Sequence, residues 1–214
     1  MGRTDLSRPL GRDGGRADER PPDAGARFAE LPVRPYDLLL KAGCRLTAVL
    51  WSVLGMRRAA GVLRHYLRAT GTPYRVDAAE LLALPAVRYA AEEQLARWRA
   101  EAQGRWRRGP RTPAAYPADS GWRGVLLARR GSLDWWFALR GVEFRLTGTV
   151  RVAADGATNV DYRFAVCKNG NFARGARKER GESEYGIPFA VFARLHETGL
   201  AREFTVTGEA FGHV

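Results

Sequence analysis

Three histidines, His65, His196 and His213, are candidates for acid–base chemistry in this chain. A general acid or base needs a partner that positions it. Three carboxylates in the C-terminal half can meet His196 or His213: Glu143, Asp161 and Glu203. His196 and Glu197 are the candidate catalytic residues. Adjacent residues on a helix point in different directions, so these two form no dyad by themselves, and a structural role for His196 at a helix end is the alternative.

Sequence signatures of common enzymes are missing from the chain. It contains no Gly-x-Ser-x-Gly, His-Glu-x-x-His, P-loop or dinucleotide fingerprint. Cys44 and Cys167 are the two cysteines, which are too few for a disulfide framework or a zinc site and indicate buried thiols. We therefore expect no metal and no cofactor, and we favour a non-enzymatic protein. A hydrolase or nuclease with a site near His196 is an alternative.

One group of candidate binding residues lies in "GRWRRGPR", where Trp106 is followed by Arg107 and Arg108. Aromatic and basic side chains together are typical of segments that contact the phosphates of a nucleic acid. Prolines and glycines around the motif indicate a linker, and arginine is abundant throughout this chain. We favour a solvated connector over a nucleic-acid site.

The second group is Trp136 with Arg140, in "SLDWWFALRG". We predict a strand here, with Trp135 and Phe137 on its inner face. Trp136 then lies on the opposite face. Either the helical part of the chain packs over Trp136, or Trp136 is exposed and anchors a partner, as tryptophan often does at interfaces.

The charge of the protein points to an acidic partner, because the formal net charge is +12 over 214 residues. A strongly basic surface attracts nucleic acid or anionic membrane. Of the 35 basic residues only three are lysines, Lys41, Lys168 and Lys178. Such an arginine bias also follows from GC-rich coding, so the charge alone identifies no partner.

The segment from Leu38 to Met56 is the candidate membrane element. Its length suits a bilayer, but Lys41 and Arg45 would each cost about 3 kcal/mol near the centre of a spanning helix, so we expect none. A helix lying on an anionic membrane surface is possible, through a stripe that consists of Leu46, Leu50, Trp51 and Leu54. We favour the alternative, in which the stripe, together with Val49 and Val53, packs into the core of a small helical bundle.

Composition and periodicity divide the chain into four parts: a disordered tail at 1–34, a helical region at 35–104, a linker at 105–120 and a β-rich domain at 121–214. The predicted fold is α+β, with an N-terminal helical hairpin or small bundle followed by an antiparallel sheet or small sandwich and one late helix. Whether the two halves form one packed unit is left open.

Several local signals support this division. Asp77 has the position of a helix N-cap with Glu80 three residues later. Asp155-Gly156 indicates a hairpin.

Alternating apolar residues predict the inner faces of two strands: Val142, Phe144, Leu146, Val150 and Val152, then Val160, Tyr162, Phe164 and Val166. The alternation of apolar and polar residues shifts by one position at Arg140-Gly141, which suggests a bulge or a bend between two strands. Gly199 is expected to end a helix that starts near Pro188, and Phe204 and Val206 point inward from the last strand.

Phrases such as "RHYLRATGTPYRVDAAELLALPAVR" and "ARLHETGLAREFTVTGEA" resemble an uncharacterised family of actinobacterial proteins, over roughly Tyr36 to Ala210. This resemblance implies a helical region, a C-terminal β-rich domain and an association with secreted or injected effectors, some of them toxins. It implies no catalytic residue. We expect a binding or structural module of an effector or larger assembly, with another protein as partner, and a membrane-active effector as the alternative. No signal peptide is recognisable, so we expect a cytoplasmic protein or export by a signal-independent route.

Overall fold

The computed structural model describes residues 28–169, 183–184 and 187–214. Six helices occur in these ranges: α1 (Pro35–Val53), α2 (Arg57–Leu67), α3 (Ala78–Leu82), α4 (Pro85–Arg108), α5 (Leu133–Leu139) and α6 (Phe189–Glu197). The strands are β1 (Tyr74–Arg75), β2 (Ala114–Asp119), β3 (Arg123–Leu126), β4 (Gly141–Val152), β5 (Thr158–Asn169), β6 (Ser183–Glu184), β7 (Ile187–Pro188) and β8 (Thr205–His213). The predicted α+β class is confirmed.

The main sheet is built around the β4–β5 hairpin, whose connection includes the predicted Asp155-Gly156 pair. Its strand order is β1-β8-β5-β4-β2, and β3 pairs with β4 beside β2. All pairings are antiparallel except that of β1 with β8, which is parallel. The sheet is therefore mixed, and the short β6–β7 pair lies outside it.

The core lies between one face of this sheet and the helices. The inner residues predicted for β4 are all buried, as are Val160, Phe164 and Val166 of β5, whereas Tyr162 is partly buried. Phe204 and Val206 are also buried. One cluster of buried side chains joins these residues to the buried faces of α2, α4, α5 and α6. The helices therefore cover the sheet within a single continuous core.

Two helix boundaries follow the local signals in the sequence. The Asp77 carboxylate accepts hydrogen bonds from the backbone N–H groups of Ala79 and Glu80, and it caps α3. Gly199 follows α6 with a φ of +73°, a conformation that favours glycine. Both cysteines are buried thiols as predicted, and burial raises the pKa of Cys44 to about 11.

The predicted strand at Leu133–Leu139 is wrong, because these residues form α5. Ser132 caps the helix by accepting a hydrogen bond from the backbone N–H of Trp135. Helical spacing then buries Trp135, Ala138 and Leu139 on one face. The phase slip at Arg140-Gly141 is the junction between this helix and β4. It is not a bulge between two strands.

The segment predicted as a linker contains regular structure. Helix α4 continues through Gly104 to Arg108, and β2 occupies Ala114–Asp119. A glycine inside a helix costs only about 1 kcal/mol, and the Trp106 ring offsets this by packing against Gly156 of the hairpin turn.

Residues 28–34, at the end of the predicted tail, run beside α6. The backbone N–H groups of Ala29 and Leu31 donate to the carbonyl oxygens of His196 and Glu197 at 3.2 and 2.9 Å. The remainder of the predicted tail is outside the described residues.

Helix α1 is tied to α6 by a buried ion pair. Arg194 donates from Nε and Nη2 to the two Asp37 carboxylate oxygens, each at 2.8 Å, and the backbone N–H of Arg34 donates to Oδ2 at 2.8 Å. Asp37 is only 1% exposed. The hydrogen bonds from Arg194 are the main reason that the pKa of Asp37 is lowered to about 2.

We expect Asp37→Asn to lower the melting temperature at neutral pH, because the amide cannot form the charged bidentate pair. The pKa of an aspartate in the unfolded chain is about 3.9. Since the folded pKa is depressed, the ion pair stabilises fully above about pH 4, and its contribution is lost as the pH falls towards about 2. Melting curves of the two proteins should therefore converge over this pH window. A difference that is independent of pH would contradict this role for Asp37.

Candidate functional site

The outward side of α1 is the most unusual surface in the described part of the chain. We call this surface the α1 face, and it consists of seven large apolar side chains that are each more than half exposed: Leu38, Leu39, Leu46, Val49, Leu50, Val53 and Leu54. They recur at helical spacings of three and four, so they form one stripe. A single exposed leucine is ordinary, but a contiguous apolar patch marks an interaction surface.

The inward side of α1 is less apolar than the outward side. Its buried residues are Asp37, Cys44, Ala48 and Trp51. Lys41 belongs to this half of the helix because its Nζ donates to the Leu200 carbonyl oxygen at 2.7 Å. The helix is therefore turned so that Asp37, Lys41 and its small residues meet the protein together with Leu40 and Trp51, while its other leucines and its valines meet the solvent.

The core interpretation of the apolar stripe is thus wrong except at Trp51, and three of the four residues proposed to contact a membrane surface are exposed. Leu46, Leu50 and Leu54 lie on the α1 face and are 70%, 53% and 63% exposed. Trp51 is buried instead, and its ring centroid lies 5.5 Å from that of Phe137 in α5. Within the described ranges, no helix combines the length and hydropathy that a membrane-crossing segment needs.

The charges that border the α1 face are basic. Arg34, Arg45 and Arg57 are exposed at its two ends and along its edge. The single acidic residue between Leu31 and Arg57 is Asp37, which is buried and paired with Arg194. The surroundings of the face therefore present positive charge without a compensating carboxylate on α1.

Trp136 is half-buried, which lies between the full burial and the exposure predicted as alternatives. Its ring contacts that of Phe137 at 5.0 Å between centroids, and Phe137 in turn contacts Trp51. The guanidinium carbons of Arg129 and Arg140 lie 4.0 and 5.0 Å from the Trp136 ring centroid. The predicted pair of Trp136 and Arg140 is therefore brought together, and Arg129 is a third member that the sequence did not reveal.

The other predicted binding group is separate from this one. Trp106 lies against Gly156, after β4, and its Nε1 donates to the Thr112 carbonyl oxygen at 2.9 Å. Its ring thus has a structural role, while Arg107 and Arg108 are exposed in the last turn of α4. Arg140 immediately precedes β4, and a strand of that length spans about 36 Å. The two groups accordingly lie at opposite ends of the strand.

The candidate catalytic residues do not form a site. His196 is buried, and its Nδ1 accepts the backbone N–H of Glu203 at 3.2 Å. Its ring also packs against Phe28. Glu197 follows it on the helix and is only partly exposed. This environment supports the structural interpretation of His196, as the residue that joins the end of α6 to the chain leading into β8.

A histidine and a carboxylate do meet on the outer face of the sheet, as the predicted combinations allowed. His213 Nδ1 lies 2.7 Å from Asp161 Oδ1, and Arg151 also pairs with this carboxylate. The hydrogen bond to His213 is the main cause of the lowered pKa of Asp161. All three side chains are 44% exposed or more, so water screens the network. No described cluster of His, Cys, Asp or Glu side chains could hold a metal ion.

Comparison of the chain with family models, curated proteins and solved structures gives no match. The resemblance to an actinobacterial effector-associated family therefore stays an expectation. The α1 face and the group of Trp136, Arg129 and Arg140 are left as the candidate sites, on geometry alone.

The orientation of α1 can be tested with two substitutions that differ by two positions. Leu46→Gln should change the free energy of unfolding by no more than about 0.5 kcal/mol, because residue 46 is exposed. Ala48→Gln should destabilise by about 3 kcal/mol, because Ala48 is 1% exposed and a larger polar side chain would have to enter the core. Urea denaturation measures both. Equal effects at the two positions would show that α1 is turned differently.

Proposed function

We propose that this protein is a non-enzymatic binding module that docks on the surface of an anionic phospholipid bilayer through the α1 face. The observation that carries the proposal is the outward stripe of leucines and valines bordered by arginines. A helix that lies in the membrane interface has this distribution, with an apolar face in the acyl region and basic residues at the headgroups.

The dimensions of the α1 face suit shallow insertion. From Leu38 to Leu54 the helix is about 24 Å long, and its axis must lie parallel to the bilayer because the opposite side is packed on the protein. Insertion of a few ångströms would remove the exposed leucines and valines from water. Burying one such side chain stabilises by about 1–2 kcal/mol, and the seven together give enough to offset the cost of association.

Charge favours a bilayer over a second copy of the chain. Two α1 faces packed together would bring Arg34, Arg45 and Arg57 of one copy against the same residues of the other, within a protein of net charge +12. An anionic bilayer instead supplies the opposite charge, at about 1 kcal/mol for each basic residue near the surface. The same argument favours lipid over a basic or neutral protein partner.

Sedimentation with vesicles tests the proposal. The protein should bind phosphatidylcholine vesicles that contain phosphatidylglycerol, and Leu46→Gln with Leu50→Gln should weaken binding by at least about tenfold through the lost apolar area. Added salt should weaken the binding of the unaltered protein, because it screens the electrostatic attraction.

Tyr89→Gln is the matched control, since Tyr89 is a 72% exposed apolar residue on a different helix, α4. It should bind vesicles like the unaltered protein. Two outcomes would overturn the proposal: no binding to anionic vesicles, or a stable dimer in solution that the double substitution on α1 dissociates. Binding of a protein ligand that needs Leu46 and Leu50, with no vesicle binding, would assign the α1 face to a protein partner.

A further inference from the structure

Two cationic groups converge on one partly exposed indole at the start of β4. Arg129 and Arg140 both place their guanidinium carbons within 5.0 Å of the Trp136 ring centroid. Like charges repel, so this arrangement is unfavourable unless something compensates it. The indole contributes a cation–π attraction of about 0.5–1 kcal/mol to each guanidinium when exposed.

Several other arginines on the sheet and helices are neutralised by carboxylates. Arg58 pairs with Glu80 and Asp134, Arg145 pairs with Asp119, and Arg163 pairs with Glu209. Among the described residues, neither Arg129 nor Arg140 has a carboxylate partner. Their donors remain available to an external anion.

The backbone at Arg140 is strained in a way that glycine would relieve. Its φ and ψ are +55° and −45°, in a region that L-residues rarely adopt. A residue held there costs about 1–3 kcal/mol, and such positions concentrate at ligand sites. The next residue is Gly141, so a glycine one position earlier would have satisfied the turn. An arginine at this strained position indicates that its side chain has a use.

The pair of arginines is connected to α1 through the buried side of that helix. Trp136 contacts Phe137, and Phe137 contacts Trp51 of α1. Leu133, one turn before Trp136 on α5, is 48% exposed. In a bilayer, phosphate groups lie just outside the acyl region, at the level where tryptophan and arginine side chains are enriched.

We propose that Arg129, Arg140 and Trp136 form a phosphate-binding site that takes the phosphate of an anionic lipid headgroup beside the α1 face. The inference rests on the proposed function for its lipid source. Guanidinium groups bind phosphate oxygens through paired charged hydrogen bonds. The same chemistry would accept a soluble phosphate ester, so the experiment has one arm for each source.

The first arm measures vesicle binding by Arg129→Gln with Arg140→Gln. Affinity for vesicles that contain phosphatidylglycerol should fall by about tenfold or more, whereas affinity for pure phosphatidylcholine vesicles should not change. Arg107→Gln with Arg108→Gln removes the same charge at the other end of β4 and is the matched control. It should lower affinity by about twofold or less, because only the diffuse attraction is reduced.

The second arm measures glycerol 3-phosphate binding by NMR. Chemical shifts of the Trp136 indole should change in the unaltered protein and not in the Arg129→Gln, Arg140→Gln protein. If this holds while vesicle affinity is unaffected by the substitutions, the lipid source is overturned and a soluble phosphate ester takes its place. If neither arm distinguishes the substituted protein from the Arg107→Gln, Arg108→Gln control, the site itself is overturned.

Arg140→Gly separates loss of the site from loss of folding. Relief of the strained φ should leave the melting temperature equal or higher, while phosphate binding falls as it does for Arg140→Gln. A lower melting temperature would contradict the strain argument.

If the unaltered protein binds no vesicles at all, the proposed function fails, and the glycerol 3-phosphate arm still decides whether the phosphate site exists.

Discussion

The buried ion pair of Asp37 and Arg194 sets the orientation of α1, and the candidate site depends on it. A carboxylate taken out of water must keep its partners, because an unpaired buried charge costs several kcal/mol. Asp37 meets this requirement with two hydrogen bonds from Arg194 and one from the Arg34 backbone. Lys41, one turn later, donates to the Leu200 carbonyl oxygen on the same side. These polar contacts leave little freedom for α1 to rotate about its axis.

The exposed apolar face is a consequence of this constraint. With Asp37, Lys41 and Ala48 turned inward, Leu39, Leu46 and Leu50, which are two positions from Asp37 or Ala48 along the helix, point to the opposite side, towards solvent. Most helices of soluble domains have the opposite arrangement, with their apolar side buried. The protein thus both exposes a large apolar surface and buries a charged side chain, and each of these is unfavourable for folding by itself. That combination is expected where the surface serves binding and not folding.

The distribution of arginine supports the same interpretation. On the outer face of the sheet, arginines are paired with carboxylates, which makes that surface polar and nearly neutral. Arg45, Arg129 and Arg140 form no ion pair with a described carboxylate, and the same is true of Arg107 and Arg108 at the other end of β4. Arg34, Arg45 and Arg57 therefore place positive charge beside the apolar surface.

Local sequence determined those parts of the fold that local interactions control. The alternation in β4 and β5, the Asp77 cap, the hairpin at Asp155-Gly156 and the glycine after α6 were all predictable, because each depends on neighbouring residues or on a period of two. The helix at Leu133–Leu139 was not predictable in this way. A run of seven residues that contains Trp135, Trp136 and Phe137 fits a helix and a strand equally well, and the Ser132 cap decided between them. The sequence also contained the apolar stripe of α1 with its arginines. Which way the stripe faces was decided only by the tertiary structure, because Asp37 finds its partner 157 residues away in α6.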